Sequence, residues 1–350
     1  MSGMLDFFTE GTVTGELVTE LQGVVENIDP EPSATTELKL YTAEGIPGTT
    51  VAMDVVGSTL QVVQTSPRGT DAPKGGGTDR DLVDFRAVRV ALEKDFDADA
   101  ALNLRRVGTG GTFDEFSSYM GRELAPTTGS VRGTLELHRL GGIRGYVLDK
   151  NGTVITDLFA KFGITPNAEI GFELDAAPTT VENPIFRKLS AMTKQMRFNM
   201  KGKRFSGVGA LCGSSYFDAL VGSVEFRATY LNQPAASYLR TNSPFGGRST
   251  EYAGVTFYEC DDYIGDVLLV EDDEARFFPM GSPGAFRQFF APHDRLANVY
   301  PGKAVGQVEY VLPSVDAKGR VYTIEIQSNP ITVCTVPGAL FGGRAGAVTP

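Results

Sequence analysis

Apolar residues recur every three to four positions along residues 13–28, VTGELVTELQGVVENI, and place Val13, Leu17, Leu21, Val24, Val25 and Ile28 on one helical face. Asp29-Pro30 and Pro32 stop that helix, and PEPSATTE after it reads as a linker. Residues 1–48 are therefore expected to form an N-terminal arm. A helix folded back on its own domain is the competing reading. Val- and Thr-rich stretches at 49–65 and 82–92 predict two strands. Residues 66–80, SPRGTDAPKGGGTDR, separate them and far exceed the usual hairpin loop of about two to five residues. A long hairpin over 49–95, projecting from the body, is the expectation.

Thr112 and Glu115 have capping-box spacing, and Phe113, Phe116, Met120 and Leu124 follow at helical intervals. Pro126 interrupts, then Val131, Leu135 and His138 resume the stripe until Gly141-Gly142, which predicts a kinked or two-piece helix over 112–142. VLDKNGTVI at 147–155 carries the hairpin signal Asn151-Gly152. Asn183-Pro184 opens another long helix whose buried stripe is Ile185, Leu189, Met192 and Met196, with Gly202 just past its end. A strand, a short helix and strands at 252–260, 266–271 and 275–278 complete a compact α+β unit. Strands return in AVGQVEYVLP, VYTIEIQ and NPITVCTVPGAL. No repeat of solenoid or propeller length is present.

The stretch FFPMGSPGAFRQFFAPHDR at 277–295 fits neither period. Pro279, Pro283 and Pro292 forbid a helix, and Phe277, Phe278, Phe286, Phe289 and Phe290 crowd a segment read as irregular after 278. Either it packs on its own domain or a second molecule covers it.

Composition narrows the function classes. With 41% hydrophobic residues the 350-residue chain can build real cores, and 41 glycines imply many turns. The net charge of −11 argues against a protein that grips nucleic acid by phosphate neutralisation. Cys212, Cys260 and Cys334 have no paired spacing and read as reduced thiols of a cytoplasmic product. MSGMLDFFTE lacks the basic and apolar regions of a secretion signal, and no run is long enough to span a bilayer.

Catalytic patterns are scarce. His138 reads as an interfacial histidine, and HxH, HExxH and G-x-S-x-G are absent. Cys212 opens a helix, where a thiol pKa would fall, but no base lies near it in sequence. GGG at 75–77 lacks the GK[ST] ending of a phosphate loop. Asp261, Asp262, Asp266, Glu271, Asp272, Asp273 and Glu274 could hold a divalent cation, which keeps an acidic metal-dependent hydrolase among the alternatives, although a solvated turn explains them more simply. Extended parts cannot bury their own apolar side chains, so an assembly subunit is expected.

Several anchors in order carry a resemblance: Pro67-Arg68-Gly69 at the hairpin tip; Asn151-Gly152-Thr153-Val154 through Phe162-Gly163; Leu211-Cys212-Gly213 through Leu220; Phe289-Phe290-Ala291-Pro292-His293-Asp294; and Gln327-Ser328-Asn329-Pro330-Ile331 followed by Val336-Pro337. Spread over about residues 38–340, they resemble the lambda-type major capsid proteins of tailed bacteriophages, the capsid protein E family, whose fold is that of the HK97 capsid. The resemblance implies an α+β fold with an N-terminal arm at 1–48, an extended loop at 49–95 and a peripheral domain at 96–182 containing the spine helix. It further implies an axial domain at 183–303, and return strands with a C-terminal tail at 304–350. It implies no enzyme activity and no cofactor or metal.

By the same resemblance, copies form hexamers and pentamers of an icosahedral or prolate shell around double-stranded DNA, without sequence-specific binding and without a membrane. Portal, scaffold and decoration proteins are the implied partners, the virion head the location and the host cytoplasm the place of synthesis. Pro67, Arg68, Gly69, Phe286, Phe289 and Phe290 are the expected inter-subunit residues. An encapsulin-like nanocompartment shell is the alternative within the same fold.

Overall fold

Helix α1 (Gly15–Glu26) buries Leu17, Leu21 and Val25 completely against the chain itself. The computed structural model describes residues 15–28, 33–56, 80–97, 113–175, 183–231, 247–260, 263–264, 267–268, 270–295, 305–316 and 321–348. A one-turn helix α2 (Ala34–Glu37) and strand β1 (Thr42–Gly45) follow α1. The described part of the expected arm is therefore folded onto the body. Three buried aliphatic side chains contribute roughly 5–9 kcal/mol, which a solvated arm would forgo.

Strands β2 (Thr50–Val56) and β3 (Arg80–Arg86) form the expected antiparallel hairpin, with Thr50 opposite Arg86 and Val56 opposite Arg80. The hairpin is narrower at its base than expected, because Val90–Asp97 is a separate strand, β4. Helix α3 (Phe113–Arg144) is one 32-residue element with Pro126 inside it, rather than two pieces. The proline removes one N–H, while Met120, Leu124 and Val131 stay buried on either side and hold the helix by packing. The Thr112 cap lies outside the described residues.

Nor do Gly141-Gly142 end α3. The helix stops at Gly145, whose φ of +89° suits glycine, and Gly142 instead admits the Tyr41 hydroxyl where a Cβ would collide. Beyond it lie the hairpin β5 (Tyr146–Leu148) and β6 (Val154–Asp157), helix α4 (Leu158–Lys161) and strand β7 (Ile170–Gly171). Helix α5 (Pro184–Asn199), strand β8 (Gly207–Cys212), and helices α6 (Ser214–Gly222) and α7 (Val224–Leu231) come next. Then follow strands β9 (Ser249–Tyr252), β10 (Val255–Glu259), β11 (Tyr263–Ile264), β12 (Val267–Leu268), β13 (Glu274–Met280) and β14 (Phe286–Phe290). The chain returns through β15 (Tyr310–Val315), β16 (Val321–Ser328), β17 (Pro330–Cys334) and β18 (Phe341–Arg344).

Three larger sheets organise these pieces. A six-stranded sheet has the order β7-β18-β13-β8-β10-β9, a three-stranded sheet the order β15-β16-β4, and another the order β1-β14-β17. The six-stranded sheet departs from the expected contiguous unit, because β18 inserts between β7 and β13 rather than belonging to a C-terminal tail. Under the β15-β16-β4 sheet, α1 and α3 share a core of Leu17, Leu21, Phe96, Met120, Val311 and Ile324.

The phenylalanine segment is two strands: β13 contains the strand expected at 275–278, and β14 stands where irregular backbone was expected. β13 joins the six-stranded sheet, and β14 joins β1 and β17 after a turn at 281–285. Burial on both faces removes the alternation that would mark β14 as a strand. Phe278 and Phe286 meet edge to face at 6.3 Å and so bridge the two sheets.

Candidate assembly surface

The β2–β3 hairpin is rooted on one face and bare on the other. Val51, Met53, Val83 and Phe85 pack on the main core. Phe85 lies 5.8 Å from Phe162, and Lys161 Nζ donates to the Asp84 carbonyl at 3.1 Å while sitting over the Phe85 ring. Strand alternation turns Ala52, Leu82 and Asp84 the other way, and Leu82 is 70% exposed. A leucine in that setting gains nothing from its own chain.

Helix α5 offers a second outward face. Its inner stripe is the one expected: Ile185, Leu189, Met192 and Met196 are buried. Its start differs, because Asn183 is left-handed (φ 51°) and makes no side-chain cap. Glu225 of α7 caps instead, accepting from the Ile185 and Phe186 N–H groups at 2.9 Å each and from the Tyr252 hydroxyl at 2.7 Å. Outside, Phe186 is 49% and Phe198 83% exposed. These rings are absent from the sequence expectations. The available signal was two phenylalanines off the helix's buried stripe.

Of the expected interface residues, Pro67, Arg68 and Gly69 lie outside the described residues. Phe286, Phe289 and Phe290 are 3%, 3% and 1% exposed within a single chain, so the rings assigned to a neighbour are covered by this chain itself. Phe289 enters the main core under the Arg287 guanidinium, 4.6 Å from its centroid. Phe290 lines the far side, facing a cleft of about 600 Å³ that Ile28, Arg132 and Gly306 also line. Adjacent strand residues do point apart, but a second layer covers each face.

Most of the candidate chemical groups among the described residues are engaged in packing or pairing. Cys212 is buried, its thiol donates to the Tyr258 carbonyl at 3.2 Å, and burial pushes its pKa well up rather than down. His138 is 2% exposed, and burial lowers its pKa, with Asp149 acting weakly against that. His293 stacks edge-on to Tyr310 at 4.9 Å. In the acidic stretch, Arg344 Nη1 donates at 2.7 Å to both Glu271 and Asp273, and Glu274, fully buried, pairs with Arg144 at 2.8 Å and with Arg276. Arginines thus hold Glu271, Asp273 and Glu274, while Asp261, Asp262 and Asp266 lie outside the described residues. Among the described residues no cluster of three or more metal-ligating side chains occurs. No described helix is long and apolar enough to cross a membrane.

Buried polar pins hold the N-terminal segment to α3. Glu136 accepts from the Thr35 N–H at 2.8 Å and from its hydroxyl, and Arg139 donates to Thr36 Oγ1 at 2.7 Å and Gln288 Oε1 at 2.8 Å. Tyr41 donates to the Arg139 carbonyl at 2.6 Å, and burial raises its pKa well above the ordinary value.

Comparison with known proteins is consistent with this layout. The "Major capsid protein" of Pseudomonas phage KPP10 is 26% identical over 234 residues, which cover 59% of this chain and 58% of that protein. The chain thus matches little more than half the length of this curated relative. The putative capsid protein of a prophage from E. coli CFT073 superposes with a TM-score of 0.56 at 12% identity, over 95% of this chain and 98% of that one. The capsid of cyanophage P-SCSP1u gives 0.50 at 10% identity, over 92% and 90%. The fold is the HK97-like α+β capsid fold. The pattern of the family described as Phage major capsid protein E matches residues 18–345. The chain belongs to the phage major capsid protein E family.

Proposed function

We propose that this chain is the repeating shell subunit of a tailed-phage head, and that it acts by multivalent burial rather than by catalysis. The observation that carries the reading is the family match over residues 18–345, joined to a hairpin whose outer face leaves Leu82 exposed in one chain. A standard interface hides about 800 Å² per partner, and a closed shell cannot lose a subunit without breaking several such contacts. In this reading the hairpin lies over a neighbour, with Arg68 at its tip, and the unit around the six-stranded sheet meets its copies about hexamer and pentamer axes. The acidic balance suits an inner wall that releases packaged double-stranded DNA. Portal, scaffold and decoration proteins complete the head, which is assembled in the host cytoplasm.

Expression of the chain followed by electron microscopy tests this. Closed, uniform particles are expected. Monomers that stay monomeric at high concentration, with and without a co-expressed scaffold, would overturn it, and particles filled with a specific enzyme would redirect it to a nanocompartment shell.

A further inference from the structure

Charge along the chain is polarised about one sheet. Residues 184–206 carry seven lysines and arginines and no carboxylate, which leaves 25 basic residues elsewhere against 43 acidic ones. Arg197, Lys203 and Arg204 from this segment are exposed and line a groove of about 670 Å³ between the end of α5 and the start of β8. Thr193 Oγ1 also lines it, buried and without a hydrogen-bond partner among the described residues. Exposed Phe198 stands on the same last turn of α5.

The opposite end of the same sheet is acidic. Gly207 at the start of β8 pairs with Met280, and Cys212 at its end pairs with Ala275, immediately after the turn Glu271-Asp272-Asp273. Five residues of strand separate the two ends by about 17 Å. All three turn side chains are exposed, and Arg344 offsets only one of their charges. We propose that the basic groove receives the Glu271–Asp273 turn of a second copy, so that neighbouring units join head to tail.

This contact rests on the shell-subunit reading and specifies one of its interfaces. A heterologous contact between two ends of one body closes into rings when its rotation permits, which is the topology a capsomer needs. Complementary charge sets partner choice and register, and the Phe198 ring gains cover in the same contact. Glu251 on the groove wall repels phosphate and carboxylate alike, so a DNA duplex is the alternative occupant that the test separates.

The test is charge exchange read by mass photometry and sedimentation. Arg197→Glu/Arg204→Glu, and separately Asp272→Arg, should each raise the concentration for half-maximal assembly roughly tenfold or more. A chain carrying all three changes should recover most of that loss. Melting of the unassembled subunit checks folding, and Arg197→Gln/Arg204→Gln provides a milder version expected to act in the same direction. Unchanged assembly in the reversed variants, or losses that merely add in the combined one, overturns the contact while leaving the shell reading intact. Intact assembly with weakened binding of a 30-base-pair duplex would also overturn it and assign the groove to nucleic acid. If wild-type chains never form shells, the broader reading fails, and the same variants then test the contact through small oligomers.

Discussion

Arg132 holds Glu309 by two hydrogen bonds, Nε to Oε1 at 2.7 Å and Nη2 to Oε2 at 3.0 Å, and its remaining donors reach the Ile28 carbonyl at 2.8 Å and the Val25 carbonyl at 3.3 Å. One guanidinium on α3 thus ties the end of α1 to the start of β15. Arg132→Ala strands a buried carboxylate and frees two helix-end carbonyls, so a loss of about 2–3 kcal/mol is expected. Hydrogen exchange should show α1 opening first. Protection of α1 equal to wild type would mean its apolar stripe alone holds it.

Phe289→Ala and Phe290→Ala should both destabilise the subunit by about 3–5 kcal/mol, because each ring is buried on its own side of β14. Thermal melts of the unassembled protein should show similar losses. A variant with unchanged melting but poor assembly would return that ring to a subunit contact.

Glu225→Ala removes the acceptor for the Ile185 and Phe186 N–H groups and for Tyr252. A loss of about 1–2 kcal/mol is expected, with Glu225→Gln milder because an amide oxygen still accepts. Asn183→Ala should change little, since Asn183 makes no side-chain cap. Denaturant melts of the three variants decide whether α5 is capped by its own N-cap or by α7.

Buried His138 should make stability fall on acidification. Its folded pKa lies below the unfolded value of about 6.5, so between those two values the unfolded chain binds more protons. The contribution is fully present above pH 6.5 and is lost as pH drops toward the folded pKa. His138→Gln should flatten that part of the slope, whatever it does to absolute stability. His293, whose pKa burial also lowers, should keep a residual slope. An identical pH profile in the variant would count against this.

Deleting residues 66–80 should leave a folded subunit that fails to close shells, because the β2–β3 base is anchored by Phe85 and Lys161 independently of the tip. Arg68→Ala should give a weaker form of the same defect. Far-UV dichroism with size-exclusion chromatography would show both, and normal particles from the deletion would exclude a role for the tip.

Helices were legible in the sequence wherever one face is buried. The stripes of α1 and α5 appear at the expected residues because a 3.6-residue period survives when the other face is wet. Strand β13 was legible at 275–278, short of its full extent, but β14 was not, because Phe286, Phe289 and Phe290 are covered on both sides of their sheet and no alternation remains. Pro126 and Gly141-Gly142 misled for a related reason: local propensity marks them as breaks, while tertiary packing carries α3 through them. The site was less legible still. Phe198 is marked only by lying off its helix's stripe, and the Glu225 cap comes from a distant helix that no local pattern announces.

The place of β18 sets a timetable for the newborn chain. Residues 341–344 fill the gap between β7 and β13, so the widest sheet stays open while the ribosome makes everything between β13 and β18. Until then two strand edges present unpaired amides, and the closing contact must span a long loop, which is a slow step. Strand β7, at the edge of that sheet, can join it only once residues 341–344 have been made.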